Sequence, residues 1–478
     1  MNVKTMQSMD AKQIANLRKR FGLPLHVVFL EEMSRNAMGF LQTSERLYPN
    51  MLVAFAAKSN PCLGAIRAIA RLGLGLETAS EYELEAGLGA GIPSNKMVCN
   101  GIAKSDRYLK MCVGENCLVV ADNVDELLIL NEMANRGNKV KARVLLRVVG
   151  MPLAGYTSAS QSTASEWTKF GFSFQDIPGI LRKVRSFEHL RFEGFSANIG
   201  AQICDPTAYD QLMDHLLELS TTAINLDMGV RRIDLGGGFP ISFMSGNEWK
   251  EFTKRLREQL SGELSSKDWI TWDNLPMGYG YLQGRTPKVT DPWIGKMYWS
   301  EFPGAAMLER VLTHKNGGGK TVVDRLKGIG APKLIIEPGR SIVGTAGVTV
   351  TKALCVKKVL GHSVIILDMG INNHGTNLLA PDIFPVQVLP KRADDTPAET
   401  FLAGRLCFGG DMISMAKVRV NRLPERGDLV AIYCTGAYSA DHFASNSCGF
   451  PRPAKVAMDE CGEVDVWRHA EKFKDVFY

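Results

Sequence analysis

The chain has 478 residues, more than one hydrophobic core usually organises, so we predict two domains. Hydrophobic residues make up 45% of it and charged residues 22%, which is typical of globular proteins and excludes a largely disordered chain. The net charge of +6 is spread along the chain without a dense Lys/Arg block or a long apolar segment, so we predict no nucleic-acid partner and no membrane association.

Cysteine spacing and the N-terminal segment indicate the cellular compartment. The ten cysteines are scattered without a C-x-x-C pair, which argues against both a disulfide framework and a zinc site. Residues 1–20 are polar and mixed in charge, without the apolar region of a secretion signal. The eight histidines also lack metal-ligand spacing, so we predict a cytoplasmic protein without a metal.

Eight short apolar runs follow one another in the chain, separated mostly by helix-like segments. The runs are Leu52–Ala57, Gly73–Thr78, Met97–Asn100, Cys117–Ala121, Arg143–Val149, Phe192–Ala197, Arg232–Leu235 and Leu334–Ile336. The amphipathic segment 81–86 follows Ser80, a residue type that caps helices. Near-continuous apolar strands that alternate with helices predict a parallel sheet with covered faces, and eight such units predict a (β/α)8 TIM-like barrel.

Two later regions depart from this alternation. Residues 241–330 are too many for one strand–helix step and are rich in aromatic residues, so we predict the last barrel helix and an ordered insertion there. After Arg340, runs of β-branched residues punctuated by Gly, Pro and Asp predict a mostly β domain. We therefore expect a barrel domain at 30–340 and a β domain formed by 1–29 and 341–478.

Residues with suggestive chemistry lie at the ends of the predicted strands. They are Lys58, Glu77, Asn198, Gly236–Gly238, Glu337 and Arg340. In barrels of this kind, active sites gather at the carboxyl ends of the strands. Glycines and lysines also end strands because loops are polar, but several such positions at one end of the barrel favour a functional site.

Lys58 ends the apolar run from Met51 and is followed at once by Ser-Asn-Pro61. A lysine at the tip of a buried strand is poorly explained as a solvated surface charge. We interpret it as a buried amine whose surroundings favour the neutral, nucleophilic form that Schiff-base chemistry requires.

Three further features indicate which cofactor this lysine would hold. Gly236–Gly238 let backbone N–H groups approach an anion, although a plain turn explains these glycines equally well on their own. Arg340 offers a bidentate partner for phosphate. Glu337, two residues before Gly339, is placed to pair with a protonated ring nitrogen. Together with Lys58, these residues predict pyridoxal 5′-phosphate (PLP).

The chain resembles the alanine-racemase-fold (type III) PLP-dependent decarboxylases, which include ornithine, arginine and diaminopimelate decarboxylases. The matching segments are Phe55–Pro61, Glu77–Glu81, Lys169–Gly171, Asn198–Gln202, Asp234–Pro240, Glu337–Val343, Leu406–Asp411 and Gly436–Tyr438. They occur in the order found in the family and extend over roughly Leu23 to Val456.

The resemblance implies a role for each matching position. Lys58 forms the Schiff base with PLP, and Glu337 pairs with the pyridine nitrogen. The phosphate is held by a set of residues on several segments, namely Gly236, Gly237, Gly238, Arg340 and Tyr438. Glu77, Asn198 and Gly339 complete the cofactor site. On sequence alone, a position in the core of the β domain explains Tyr438 as well as a phosphate-binding role does.

Cys407 is the expected proton donor to the α-carbon of the substrate after CO2 leaves. In the family this cysteine reaches the site from the partner subunit, so the resemblance implies a homodimer whose active sites are shared across the interface. Outside its Leu-Cys-x-x-x-Asp context, which ends at Asp411, Cys407 would be interpreted as one more buried thiol.

Four departures from the family pattern affect the cofactor and the substrate. Asn198 replaces the histidine that stacks on the cofactor ring, and Ala201 replaces a serine. Phe408 stands where ornithine-type enzymes have Asp and diaminopimelate enzymes have Glu to pair with a distal amino group of the substrate. Asp368 begins a segment like that of diaminopimelate enzymes, but Thr376 replaces the arginine expected soon after it.

We therefore expect Phe408, Asp411, Asp368 and Thr376 to bind a small-molecule substrate that is a specialised or conjugated amino acid. The predicted reaction is removal of the α-carboxylate. A racemase or epimerase on the same fold is an alternative, although alanine racemases place an arginine where this chain has Glu337. A regulator that has lost catalysis is another alternative, which the retention of Lys58 disfavours.

Overall fold

The computed structural model describes residues 11–136, 141–153, 167–277, 298–375, 383–442 and 444–478. The chain forms two compact units. The barrel unit comprises Asn36–Pro240 and Phe302–Ser341, and the β unit comprises Met1–Arg35, Ile241–Glu301 and Ile342–Tyr478. The segment predicted as an insertion, 241–330, is thus divided between the two units. Within the described residues, no helix is both long and apolar enough to cross a membrane.

The strands and helices are numbered in chain order. The strands are β1 (Leu25–Phe29), β2 (Met51–Ala56), β3 (Gly75–Thr78), β4 (Met97–Cys99), β5 (Leu118–Ala121), β6 (Ala142–Val149), β7 (Phe172–Ser173), β8 (Leu190–Ser196), β9 (Arg232–Asp234), β10 (Lys333–Ile336), β11 (Gly347–Val359), β12 (His362–Leu367), β13 (Val386–Leu389), β14 (Ala398–Ala403), β15 (Met412–Val420), β16 (Leu429–Tyr433), β17 (Ala454–Met458) and β18 (Val464–Arg468). The helices are α1 (Ala11–Phe21), α2 (Leu30–Leu47), α3 (Leu63–Arg71), α4 (Glu81–Gly89), α5 (Asp106–Gly114), α6 (Val124–Arg136), α7 (Ile177–Arg185), α8 (Pro206–Asn225), α9 (Gly246–Leu260), α10 (Ala305–Thr313), α11 (Val322–Gly328), α12 (Arg340–Val343) and α13 (Phe473–Phe477).

The barrel unit contains a closed parallel sheet. Its strands follow the order β5-β4-β3-β2-β10-β9-β8-β6, and pairing of β5 with β6 closes the barrel. Every one of these strand pairs is parallel. Each of the eight predicted apolar runs overlaps a barrel strand, so the predicted (β/α)8 barrel is confirmed.

Apolar side chains explain why these segments form strands in the barrel. All residues of β6 are buried, as expected for a parallel strand covered on both faces. Ala54, Val98, Leu145 and Ile335 belong to one core cluster contributed by different strands. Full burial of a Val, Leu or Ile side chain contributes about 1.5–3 kcal/mol, so this cluster is a substantial part of the unit's stability.

Helix α4 begins where its sequence predicts. Ser80 precedes the helix in an extended conformation, and its hydroxyl accepts a hydrogen bond from the Glu83 amide at 3.2 Å. A cap of this kind satisfies one of the amide groups that have no partner within the helix. The cap therefore fixes the start of the helix just after β3.

The β unit is built on a second large sheet. Its main strand order is β15-β14-β12-β11-β1-β17-β18, and β16 joins β11 to β13. The N-terminal strand β1 lies between β11, to which it is antiparallel, and β17, to which it is parallel. The first of the β runs predicted after Arg340 starts later than expected, because residues 340–343 form the helical turn α12 and the strand starts only at Gly347. A barrel followed by a mostly β region confirms the predicted fold class.

Candidate active site

Lys58 lies in a short 3-10 turn, Ala57–Ser59, directly after β2. Its Nζ atom donates a hydrogen bond to Glu77 Oε2 at 2.7 Å. Glu77 is fully buried on β3, whereas the Lys58 side chain is 40% exposed. The prediction of a fully buried lysine is therefore wrong: the Lys58 side chain is partly exposed, and its amine pairs with a buried carboxylate.

Two more carboxyl groups lie at the carboxyl end of the barrel. Asp234 is the last residue of β9, and Glu337 follows β10 immediately. Both are buried. The Ser196 hydroxyl donates a hydrogen bond to Asp234 at 2.8 Å, and the Asn100 amide donates one to Glu337 at 2.6 Å. Burial raises the pKa of Asp234 to about 6. Burial and the negative charges of Asp234 and Glu77 raise the pKa of Glu337 well above its usual value.

Arg147, on β6, brings a buried positive charge to this group of carboxyl groups. Its guanidinium lies 3.8 Å from Asp122 and 4.1 Å above the centroid of the Phe170 ring. Burial lowers its pKa, and the negative charges of Asp122 and Glu337 counteract this. The site thus combines Lys58 and Arg147 with several buried carboxyl groups.

The glycine loop after β9 has no room for side chains. Gly236 and Gly238 have φ angles of +65° and +89°, which residues with a Cβ atom rarely adopt. A Cβ atom on Gly238 would lie 2.8 Å from the Gly200 carbonyl oxygen, and one on Gly237 would lie 2.7 Å from the Glu337 carbonyl oxygen. The Tyr209 hydroxyl donates a hydrogen bond to the Gly237 carbonyl at 2.8 Å and holds the loop in place.

Gly339 brings the Arg340 turn against the Lys58 turn. A Cβ atom on Gly339 would lie 2.9 Å from the Ser59 Cβ atom, so glycine is required for this close approach. Arg340 begins α12 directly afterwards. Asn198, which follows β8, accepts a hydrogen bond from the Gly200 amide at 3.0 Å through its side chain. The structure therefore brings together all the cofactor-site residues that were predicted within the barrel unit.

These residues fit PLP by their chemistry. The amine of Lys58 can join an aldehyde, and the glycine loop exposes backbone to an anion because no Cβ atom shields it. Arg340 adds a cation, and Glu337 is a buried partner for a ring nitrogen. Among the described residues, no group of three or more His, Cys, Asp or Glu side chains is arranged to hold a metal ion.

The β unit holds the remaining predicted site residues. Cys407 is exposed, and Phe408 is 58% exposed. The buried carboxylate of Asp411 accepts hydrogen bonds from the amides of Ile371 and Leu406, both at 2.7 Å. Asp411 therefore shapes the loop that carries Cys407 and Phe408.

Three other predicted positions complete the list. Asp368 is buried and pairs with Lys352 at 3.0 Å and with Arg405. Tyr438 is partly buried and has a φ angle of +64°, with its ring centroid 5.5 Å from that of His442. Thr376 lies outside the described residues.

The sequence analysis gave no role to the Asp234 carboxyl group or to three side chains near the carboxyl groups of the site, namely Asn100, Arg147 and Ser196. Each lies at the carboxyl end of a barrel strand or directly after it. Lys58 was selected because it ends a strand, and these residues also lie at strand ends. They were not selected because polar residues inside apolar runs were interpreted as part of the strand.

The barrel, Lys58 after β2 and the glycine loop after β9 are the arrangement expected of a PLP-dependent enzyme. Residues 38–268 match the family model described as pyridoxal-dependent decarboxylase, pyridoxal binding domain. This match agrees with the prediction of a PLP-dependent amino-acid decarboxylase whose cofactor is PLP.

Curated relatives and solved structures agree with this assignment. The chain is 25% identical to a diaminopimelate decarboxylase from Halalkalibacterium halodurans, with 98% of this chain and 92% of that protein covered. It is 26% identical to one from Vibrio cholerae, with 93% and 90% covered. A diaminopimelate decarboxylase from M. jannaschii, solved in complex with L-lysine, has the same fold, with a TM-score of 0.75, 21% identity and coverage of 97% of this chain and 93% of that one.

Proposed function

We propose that this enzyme removes the α-carboxylate of a specialised or conjugated amino acid whose distal end carries no free ammonium group. The observation that carries the proposal is Phe408, which follows Cys407 where the resembling decarboxylases carry Asp or Glu. A phenyl ring cannot form an ion pair. Leaving an ammonium group buried and unpaired against it would cost several kcal/mol.

The sequence around Asp368 supports the same conclusion. Diaminopimelate decarboxylases carry an arginine for the distal carboxylate of their substrate, and Thr376 replaces it here. Asp368 is already paired with Lys352 and Arg405. A substrate with charged groups at its distal end would therefore find neither the acidic residue nor the arginine that the resembling decarboxylases carry.

The proposed roles of the barrel residues follow from their placement. Lys58 is the covalent attachment point, and Glu77 holds its amine at the carboxyl end of β2 and β3. The glycine loop and Arg340 bind the phosphate, with Tyr438 assigned to it by the resemblance. Glu337 is the partner of the ring nitrogen. When bound, PLP supplies an electron sink for the carbanion that CO2 loss leaves behind.

Cys407 is the proposed proton donor. Its thiol is exposed on a single chain, as a residue that serves the site of another subunit should be. A thiol proton transferred to the α-carbon completes the reaction and leaves a thiolate at Sγ. We accordingly propose a homodimer with shared active sites, in the cytoplasm.

A panel of amino acids tests the substrate proposal. We expect CO2 release from amino acids with an acylated or otherwise conjugated distal amine, and little from free ornithine, lysine or diaminopimelate. Efficient turnover of these free diamino acids by the wild-type enzyme would contradict the proposal. Loss of optical rotation without CO2 release would instead identify a racemase.

The Phe408→Asp variant provides the matched comparison. It restores the carboxylate that the resembling ornithine-type enzymes carry at this position. We expect it to gain activity on free diamino acids and to lose activity on conjugated ones, because the added charge favours an ammonium partner. An unchanged preference would show that Phe408 does not select the substrate.

A further inference from the structure

Four basic side chains cluster at the amino end of the barrel, opposite the end that carries the candidate active site. Arg143 and Arg191 are the second residues of β6 and β8, and Arg232 and Lys333 are the first residues of β9 and β10. The strand register places Arg143 beside Arg191 and Arg232 beside Lys333. Like charges on paired residues of neighbouring strands repel one another, so this arrangement calls for a physical reason.

The basic cluster lies inside the barrel. Leu145 and Ile335 belong to a core cluster whose members come from strands on different sides of the ring, and such side chains can meet only in the interior. Side chains alternate along a strand, so Arg143 and Lys333, each two residues before one of these, point inward as well. Barrel interiors are usually filled with branched apolar side chains. Here the layer at the amino end is charged instead.

One carboxylate, Glu193 on β8, contacts three of the four cations. Its Oε1 atom lies 2.9 Å from Arg143 Nε and 2.9 Å from Arg191 Nη2, and its Oε2 atom accepts a hydrogen bond from Arg232. The side chains of Glu193 and Arg143 are buried, whereas that of Arg191 is 47% exposed. The basic cluster therefore extends from the barrel interior to solvent.

The basic cluster carries more positive charge than its surroundings balance. Glu193 supplies one negative charge against three guanidinium groups, and no other carboxylate of the described residues forms an ion pair with them. Lys333 adds a fourth cation, whose side chain has neither an ion pair nor a hydrogen bond within the described part of the chain. Glu115 and Glu188 precede strands at the same end, but both are exposed. An excess of partly buried like charge is unfavourable unless a counter-ion binds.

Helix carbonyl groups supply only part of the missing negative charge. The helices end near the amino end of the barrel, and their last carbonyl groups favour cations. Arg143 uses one of them, because its Nη1 donates a hydrogen bond to the Asn116 carbonyl at 3.1 Å. Among the described residues, the side chains of Arg191, Arg232 and Lys333 make no bond of this kind. These three side chains therefore keep N–H groups that can bind an added acceptor.

We propose that the amino end of the barrel binds a small anion of the phosphate class, with two or more negative charges, through Arg191, Arg232 and Lys333. Guanidinium groups bind phosphate oxygens in pairs, and a lysine ammonium adds a point charge. Such an anion balances the charge that Glu193 leaves uncompensated. The site is separate from the phosphate subsite proposed at Arg340, which lies at the carboxyl end of the barrel. The inference is independent of the proposed substrate.

Isothermal titration calorimetry of the holoenzyme with inorganic phosphate tests for this site. The cofactor occupies the subsite at Arg340, and chloride holds the ionic strength constant so that screening does not change during the titration. We expect saturable binding of one phosphate per chain and much weaker binding of acetate, which carries a single charge. Absence of saturable binding, or acetate bound as tightly as phosphate, would overturn the proposal.

Arg191→Gln and Arg67→Gln provide a matched comparison. Each removes one positive charge from the barrel unit, but Arg67 is an exposed residue of α3, which precedes β3 on the other side of the ring from β8. We expect the Kd for phosphate to rise about tenfold in Arg191→Gln, through loss of a charge-assisted hydrogen bond, and to stay unchanged in Arg67→Gln. Lys333→Gln should give a similar rise. Equal Kd values in all four proteins would show that phosphate binds elsewhere and would refute the site.

Discussion

Lys104 Nζ lies 2.9 Å from Glu126 Oε2 in the barrel unit, and the two side chains are 0% and 4% exposed. The Lys104 ammonium also donates hydrogen bonds to the carbonyl oxygens of Gly101 and Val120. Glu126 in turn accepts one from the Asp122 amide at 3.0 Å. The pair thereby ties the loops after β4 and β5 to helix α6.

Removing Lys104 should destabilise the protein strongly. Lys104→Met leaves the Glu126 carboxylate buried without a counter-charge, and we expect a loss of about 3–5 kcal/mol in the free energy of unfolding, measured with denaturant. Arg107→Ala is the control, because its pair with Glu85 is 53% and 61% exposed and should contribute less than about 1 kcal/mol. Similar losses in both variants would contradict this account.

Gly238→Ala should weaken cofactor binding. The added methyl group would meet the Gly200 carbonyl oxygen at 2.8 Å, at a φ angle of +89°, and the loop must move to avoid it. We expect PLP affinity, measured by fluorescence titration, to fall at least about tenfold. Gly179→Ala is the control: it lies in α7 with no atom within 4 Å of the added Cβ, so PLP affinity should not change. Unchanged affinity in both variants would show that the loop does not hold the phosphate.

Lys58→Ala should abolish covalent attachment of PLP. In the wild type, reduction with borohydride should fix the cofactor on the peptide that contains Lys58, as detected by mass spectrometry. The variant should carry no fixed cofactor and should have no measurable activity. Lys96→Ala is a suitable control, since Lys96 donates a hydrogen bond to the Gly73 carbonyl and lies before β4. Labelling of another lysine in the wild type would show that Lys58 is not the attachment point of PLP.

His374 should make stability depend on pH. It is fully buried in the β unit, and burial lowers its pKa from 6.5 to about 4. Below pH 6.5 His374 is protonated in the unfolded chain, whereas in the folded protein it stays neutral down to about pH 4. The folded state therefore loses stability over this interval as the pH falls. The loss should reach about 3 kcal/mol.

Denaturant unfolding of the wild type and of His374→Gln between pH 7 and pH 4 measures this contribution. The wild type should lose more stability than the variant as the pH falls, whereas His469→Gln, which changes an exposed histidine, should follow the wild type. His26 is also buried, with its pKa lowered by burial and by the charge of Lys455; His374 is the smallest of the causes, so the contribution of His26 changes little in His374→Gln. Parallel pH profiles for the wild type and His374→Gln would refute the prediction.

Cys407→Ala should retain PLP but lose most of its turnover. A positioned proton donor typically contributes about 10²–10⁴-fold to the rate, so we expect a decrease in kcat within that range. Cys448→Ala changes another exposed cysteine and should leave kcat unchanged. The product that Cys407→Ala forms in D2O should show altered stereochemistry of protonation. An unchanged rate and an unchanged product would show that Cys407 is not the proton donor.

The barrel could be predicted from the sequence because parallel strands covered on both faces are mostly apolar, as in β6, where every residue is buried. The position of Lys58 after β2 followed from the same pattern. The exposure of Lys58 could not be predicted, since it depends on the loops that surround the mouth of the barrel. The first strand after Arg340 was also placed too early, because the residues of α12 include Ile and Val but form a helical turn.

The carboxyl groups of Asp234 and Glu337 show a different limit. These residues are far apart in sequence, and each was assigned on its own to a glycine motif or to a ring nitrogen. Their proximity depends on the adjacency of β9 and β10, which is a property of the closed barrel. The placement of both carboxyl groups at the same end of the barrel is therefore visible only in three dimensions, although both residues are prominent in the sequence.

The pairing of β1 with both β11 and β17 has a consequence for synthesis on the ribosome. β1 emerges early, whereas the strands on its two sides are translated late, and β17 ends only at Met458. During most of elongation its backbone amides and carbonyls have no strand to bind, and an unpaired edge invites aggregation. β1 can therefore complete its pairing only after the last strands of the sheet have left the exit tunnel.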